Sequence, residues 1–247
     1  MYLTVQGLVV RVTEYKERDS LLTLITRDHG RITVKARNVR RRNNPMSAAC
    51  QLLALSEFTL FEYKDSYVVN EAHVIELFQE LRQDVQKLAL ATYFSQVAAL
   101  ISQEDFPSPE LHPLVLNCMY ALARLNIPQL KVKAVFELRC ACLAGFMPDL
   151  YGCRVCENTQ ADYIDISAGQ LECASCKSME IAGIRMPLSS GMLDAMRYIC
   201  SCDPKKIFSF TLNAEALECL SGVTEAYLVT QLERGFSALD YYKSMSV

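Results

Sequence analysis

The hydrophobic period of this chain changes once, near residue 80, and that change divides what the chain can fold into. Before it, apolar and β-branched residues alternate, and residues 3–12, 20–26, 31–36, 57–62 and 66–75 read as five strands. Polar turns at 14–19, 27–30 and 63–65 separate them, with Gly30 free to take a positive φ. After it, Leu81, Val85, Leu88 and Thr92 recur at helical spacing and lead into a nearly all-apolar run that ends near Ser102. Further helices are predicted over 109–125, 128–143, 189–201 and 213–234. Pro107, Pro109, Pro113 and Pro128 punctuate helix starts, and Gly145 is placed to end the 128–143 helix.

One helix is also predicted among the strands. Residues 45–55 begin with Pro45, which suits a first helical turn, and Met46, Ala49, Cys50 and Leu53 follow at helical spacing. Five short strands with a helix after the third is the order of an OB-fold barrel. An SH3-like barrel is the alternative, because strand counting does not settle closure. The fold class expected is α+β: an N-terminal OB-fold β-barrel, then an α-helical domain with an inserted four-cysteine zinc module. The expected segments are 1–79 for the barrel, 80–148 and 181–247 for the two parts of the helical domain, and 149–180 for the insertion.

The insertion rests on Cys153-x-x-Cys156 and Cys173-x-x-Cys176, the spacing of a tetrahedral four-thiolate zinc site. Each C-x-x-C lets one tight turn aim two sulfurs at the same metal. The competing readings are coincidental pairs in a chain with 11 cysteines, or disulfides. The other seven, Cys50, Cys118, Cys140, Cys142, Cys200, Cys202 and Cys219, lie scattered in apolar segments, as reduced thiols do in a cytosolic protein. With 247 residues and 51% hydrophobic content, the chain can bury a core without cross-links. Its first ten residues read as a strand and not as a secretory leader, and the run 88–101 is too short to span a bilayer, so a soluble cytoplasmic protein is expected.

Net charge is −3, which excludes a general polycation, yet residues 11–42 carry ten Lys or Arg against four Asp or Glu. A mildly acidic chain with one basic segment directs an anionic partner to one face. Enzyme motifs are missing. His29, His73 and His112 lack the Glu two residues on that a zinc deaminase needs, and there is no G-x-x-x-x-G-K-[ST] phosphate loop. A closed four-thiolate sphere offers no open position for activated water, so a structural metal, one per chain, is expected. Zinc-dependent hydrolysis of a nucleotide or nucleic acid stands as the remote enzyme hypothesis.

These residues, in order, resemble a family. Gly7-Leu8-Val9-Val10, Tyr15-x-Glu17-x-Asp19, Thr26-x-x-x-Gly30 and a basic strand ending at Ala36-Arg37 resemble the start of the bacterial RecO recombination mediators. Phe136-Glu137-Leu138, Gly145-Phe146-x-Pro148-x-Leu150, the cysteine pairs and Pro187-Leu188-Ser189 continue the likeness over nearly the full length. The resemblance implies a non-enzymatic role in recombinational DNA repair: binding single- and double-stranded DNA, annealing complementary strands, and helping RecR load RecA on strands coated by single-stranded DNA-binding protein (SSB). It implies association with the nucleoid during repair and no membrane contact. Two positions depart from the family. Arg37-Asn38 stands where Lys-Gly is usual, and Glu157 stands where glycine often follows the second cysteine.

On this reading the DNA contacts are Arg31, Lys35 and Arg37 at strand spacing, then the loop Arg40-Arg41-Arg42. A solvated basic loop with no partner is the alternative. Tyr15, Phe58, Phe61, Tyr63 and Tyr67 are ring candidates for base stacking, with Phe58 favoured for the core and Tyr15 for exposure. Around the cysteines, Arg154 and Lys177 are outnumbered by Glu157, Asp162, Asp165, Glu172 and Glu180, which argues against nucleic-acid contact there. Lys131, Lys133 and Arg139 are the candidates to receive the acidic, hydrophobic-tipped C-terminal tail of SSB. A protein-interaction scaffold whose barrel never touches DNA is the competing class.

Overall fold

The computed structural model describes residues 1–64, 66–107, 109–176 and 183–245. Lys177, Glu180 and Asp65 lie outside the described residues. The chain forms two compact units: Met1–Leu125 with Phe236–Val247, and Asn126–Gly235.

The first unit is built on a closed barrel. Strands β1 (Tyr2–Tyr15), β2 (Asp19–Thr26), β3 (Arg31–Ala36), β4 (Leu55–Tyr63) and β5 (Ser66–Glu76) close in the order β1-β2-β3-β5-β4. All neighbours are antiparallel except β3 and β5, which run parallel through Val34 and Lys35 opposite Tyr67 and Val68. β1 serves two partners: residues 2–8 pair with β4 and residues 7–15 with β2, and a bulge between Val9 and Arg11 turns the strand from one to the other. Alternation fills the interior with Val5, Val9, Leu22, Leu24, Ile32, Val34, Phe58 and Leu60. Leu8 and Ile25 pair across β1 and β2 on the opposite face and are also fully buried, because a helix packs on that face.

That helix is α2 (Val85–Ile101), preceded by the short α1 (Gln79–Arg82) and followed by α3 (Leu111–Arg124). Asp84 caps α2 by accepting the N–H groups of Gln86 and Lys87 at 2.9 and 3.1 Å. A final helix, α7 (Ser237–Ser244), returns to pack on α2, with Phe236 edge-on to Tyr93. The sequence pattern does not predict α7.

Residues 45–53 form successive turns in place of the predicted helix. One helical bond forms, from Cys50 N–H to the Met46 carbonyl at 3.1 Å. The next residues are then captured by the barrel: Leu53 N–H donates to the Val9 carbonyl at 2.8 Å, and the Ala54 carbonyl accepts Val9 N–H at 2.9 Å. Leu53 takes a left-handed φ of 67° to reach them. The freed backbone groups of the β1 bulge therefore outcompete helical propagation over so short a segment.

The second unit holds α4 (Gln129–Leu143), α5 (Ser190–Ser201) and α6 (Ala214–Gln231), with a four-stranded sheet ordered β6-β8-β7-β9. Its strands are β6 (Asp149–Cys153), β7 (Tyr163–Asp165), β8 (Gln170–Glu172) and β9 (Arg185–Pro187). Gly145, at φ 91°, ends α4, and Phe146 N–H reaches back to the Ala141 carbonyl at 2.9 Å. Ser189 and Asn213 cap α5 and α6. Among the described residues no helix is long and apolar enough to cross a membrane.

Candidate nucleic-acid interface and metal centre

The hairpin joining β1 to β2 and the long loop after β3 meet at one end of the barrel. Asn38 N–H donates to the Asp19 carboxylate at 2.9 Å, and Arg40 N–H donates to the Arg18 carbonyl at 3.0 Å. Asn38 takes a left-handed φ of 54°, which asparagine tolerates better than most residues, and so makes the turn. This docking joins the hairpin that carries Lys16 and Arg18 to the loop that carries Arg37, Arg40, Arg41 and Arg42, and Lys16 and Lys35 both approach the Tyr15 ring, at 5.5 and 4.7 Å from its centre. Strand spacing and the arginine run single out only the strand and loop cations; the signal for Lys16 and Arg18 is the hairpin register, Tyr15 opposite Asp19.

These cations are not equivalent. Lys35 is bound to Asp19 at 3.3 Å and lies 4.7 Å from the centre of the Tyr15 ring. Arg40 pairs with Glu14 at 3.0 Å. Arg37, Arg41 and Arg42 are exposed. Arg31 stands apart: it begins β3, six residues before Arg37, which is about 20 Å at strand rise. Its guanidinium donates to the Ala99 carbonyl near the end of α2 at 2.8 Å. Its own backbone bonds Gln103 and Asp105, so it ties β3 to the segment after α2. Of the candidate rings, Phe58 is fully buried in the barrel core, whereas Tyr15, Phe61 and Tyr63 are exposed.

The four cysteines converge as their spacing requires. Cys153 ends β6, Cys173 directly follows β8, and the parallel pairing of those strands brings the two C-x-x-C turns together. The four sulfurs lie within 4.8 Å of one another, with Cys156 and Cys173 at 3.6 Å. A tetrahedral centre with metal–sulfur bonds of about 2.3 Å has sulfur–sulfur edges of about 3.8 Å, so the set fits a single ion. The turns also aim N–H groups at sulfur. Burial alone would raise the Cys153 thiol, but the N–H groups of Cys156, Val155 and Cys173 outweigh it and bring it down to about 6. A thiolate prepared in this way is what a metal needs.

Two of the acidic groups around this centre, Asp165 and Glu172, are paired with arginines. Glu172 is buried between Arg154 and Arg185, and Arg154 also reaches Asp165 at 3.7 Å. The Asp162 carboxylate accepts Ala174 N–H at 2.7 Å, fixing the second cysteine turn.

Of Lys131, Lys133 and Arg139, Lys133 is buried and the other two are half-buried. Lys133 is buried on α4, its ammonium 3.0 Å from Glu137 and 2.9 Å from Glu225, with Ser221 completing the shell at 3.2 Å. Burial opposes its charge, yet the two carboxylates outweigh that and hold it above the ordinary lysine value. Lys131 donates to the Phe210 carbonyl and lies 4.4 Å from the centre of the Phe210 ring. Arg139 donates to the carbonyls of Ile199 and Cys200 at 3.3 and 3.0 Å, capping the end of α5. Helical spacing places these cations on α4 but does not reveal that α5, the segment before α6, and α6 itself come to meet them.

Two family models match in tandem: "Recombination protein O N terminal" over residues 1–78 and "Recombination protein O C terminal" over residues 82–240. The chain belongs to the RecO family. A relative named DNA repair protein RecO in Acetivibrio thermocellus is 30% identical over 246 residues, covering 99% of this chain and 97% of its own. The RecO of Alkaliphilus metalliredigens is 27% identical, covering 99% of this chain and all of its own, and that of Dehalococcoides mccartyi is 29% identical over 97% and 94%. RecO membership places the chain in DNA repair and recombination.

Proposed function

We propose that this chain is a recombination mediator that binds single- and double-stranded DNA through the basic end of its barrel and anneals complementary strands. On that reading it works with RecR on strands coated by SSB and so assists RecA loading, without catalysing a reaction itself. The observation that supports it is the docking of the loop bearing the exposed Arg37, Arg41 and Arg42 on the hairpin bearing the exposed Lys16 and Arg18, in a chain whose net charge is −3. Guanidinium groups on loops engage phosphates without reading sequence, which suits a protein that must accept any strand. Neutralised phosphates also repel less, so two complementary strands held there meet at lower cost. Tyr15, exposed beside Lys35, offers one ring for stacking. The reading places the protein in the cytoplasm, at the nucleoid during repair.

The metal in this proposal is zinc, held by Cys153, Cys156, Cys173 and Cys176. It would cross-link the ends of β6 and β8, and a sphere of four protein sulfurs would leave no site for substrate.

The test reverses charge at Arg40, Arg41 and Arg42 by substitution to Glu and measures oligonucleotide affinity at two salt concentrations. The expected result is weaker binding and a shallower salt dependence, by about 0.7 in log–log slope for each single-strand phosphate that is no longer neutralised. Unchanged affinity and slope would remove this loop from the DNA site and leave a scaffold that does not touch DNA.

A further inference from the structure

Outside the quartet, two thiols face one another across a helix pair. Cys142 sits in the last turn of α4 and Cys200 in the last turn of α5, and their sulfurs meet at 3.7 Å. Both are half-buried, so a small reagent reaches them, unlike the enclosed Cys50 and Cys118. Arg139, one turn before Cys142, lays its guanidinium on the Cys200 carbonyl and so places a fixed positive charge beside both sulfurs.

We propose that Cys142 and Cys200 form an oxidant-sensitive dithiol, a modification site that takes peroxide and closes to a disulfide between α4 and α5. Contact with the Cys200 sulfur holds Cys142 below its ordinary value, burial opposes this, and Arg139 adds to the lowering, so Cys142 is the attacking sulfur. Cys200 is held above its ordinary value, first by that same contact and then by burial, and is the resolving sulfur. In the first step the Cys142 thiolate attacks one peroxide oxygen. The O–O bond breaks, hydroxide leaves and takes up a proton as water, and Cys142 becomes a sulfenic acid. In the second, the Cys200 sulfur attacks the Cys142 sulfur, the S–OH bond breaks, and the Cys200 proton leaves with that hydroxide as a second water. Two thiols lose two electrons in all, and one peroxide gains them.

The sulfurs must approach from 3.7 Å to a bond of about 2.05 Å, a movement within reach of rotation about the cysteine side chains. Cys202 lies near but donates toward the Ile199 carbonyl, and burial raises it above its ordinary value. The link would span a sequence separation of 58 residues and enclose β6 to β9 with all four cysteines of the metal centre. Thiolates that bind metal are themselves oxidised by peroxide. A second cross-link around the same segment would then hold its ends together when the first is lost.

The experiment treats the reduced, metal-loaded full chain with limiting hydrogen peroxide, quenches with N-ethylmaleimide, and maps disulfide-linked peptides by mass spectrometry without reduction. The expected product joins the Cys142 peptide to the Cys200 peptide, has lost two hydrogens, and reverts with dithiothreitol. Cys142→Ser should abolish it, and Cys200→Ser should trap a Cys142 sulfenic acid that reacts with dimedone. Recovery of both cysteines as separate maleimide adducts while the quartet oxidises would overturn the proposal. So would a link from either sulfur to Cys202 instead. The wild-type map decides the matter even if a serine variant folds poorly.

Discussion

The Asp19 carboxylate accepts the backbone N–H of Asn38 at 2.9 Å, joining the first residue of β2 to the first turn of the basic loop. The bond to Asn38, followed by Lys35, holds Asp19 below its ordinary value of 3.8. A carboxylate lowered on folding contributes order that is present above its unfolded pKa and lost as pH falls through the folded one. Protection of the Asn38 and Arg40 amides, as the exchange rate relative to an unstructured chain at the same pH, should therefore be highest near neutrality and fall in acid below about pH 4. Asp19→Asn should remove that pH dependence.

Arg41 and Arg42 should separate from Arg31 in their effects. Substituting the loop pair by alanine should weaken DNA binding at low salt while the melting curve stays within about 0.5 kcal/mol of the parent. Arg31→Ala releases the Ala99 carbonyl and should destabilise the first unit by about 1 kcal/mol or more, measured by urea denaturation. Equal stability loss in both variants would contradict the placement of Arg31.

Lys133→Ala should be among the most damaging single changes in the second unit. It leaves Glu137, fully buried, without its cation, at a cost of about 3–5 kcal/mol. Replacing the pair together, as Lys133→Met with Glu137→Gln, should recover most of that loss in the same denaturation assay. Failure to recover would show that Lys133 acts through packing alone.

Glu157 holds a left-handed φ of 59° immediately after the second metal-site cysteine. Left-handed backbone costs a non-glycine residue about 1–2 kcal/mol, and glycine gives back about half of that in chain entropy. Glu157→Gly should therefore slow amide exchange across 149–176 modestly, with a gain of about 0.5–1 kcal/mol.

Chelation should act locally. Removing the metal should raise exchange at Cys153, Arg154 and Cys173, whose N–H groups depend on the folded turns, while β1 to β5 keep their protection. Loss of DNA binding with the cysteine segment still protected would contradict a purely structural metal.

The strands and the cysteine convergence are legible in the sequence because each rests on a short-range rule: alternation, turn residues and C-x-x-C spacing. What the sequence hides is decided by distant partners. Residues 45–53 have helical spacing, but the bulge at Val9 takes their backbone groups. Lys133 looks like a surface cation on α4 until α6 arrives with Glu225, and Arg139 until α5 presents its terminal carbonyls. Arg31 shares a face with Lys35, yet its partner Ala99 lies 68 positions along the chain. Residues 237–244 carry too little apolar pattern to be read as a helix before Tyr93 and Phe236 are seen together.

Phe236 meets Tyr93 edge-on with ring centres 5.3 Å apart, and both rings are buried. On the ribosome these partners are born far apart in time. Residues 126–235 leave the exit tunnel before Phe236 and α7 are available to α2, so the second unit has its whole chain while the barrel unit still lacks a helix. The order of synthesis and the order of completion are thereby reversed for the two halves of this protein, and a nascent chain stalled after residue 235 would lack the ring that meets Tyr93 and the helix that packs on α2.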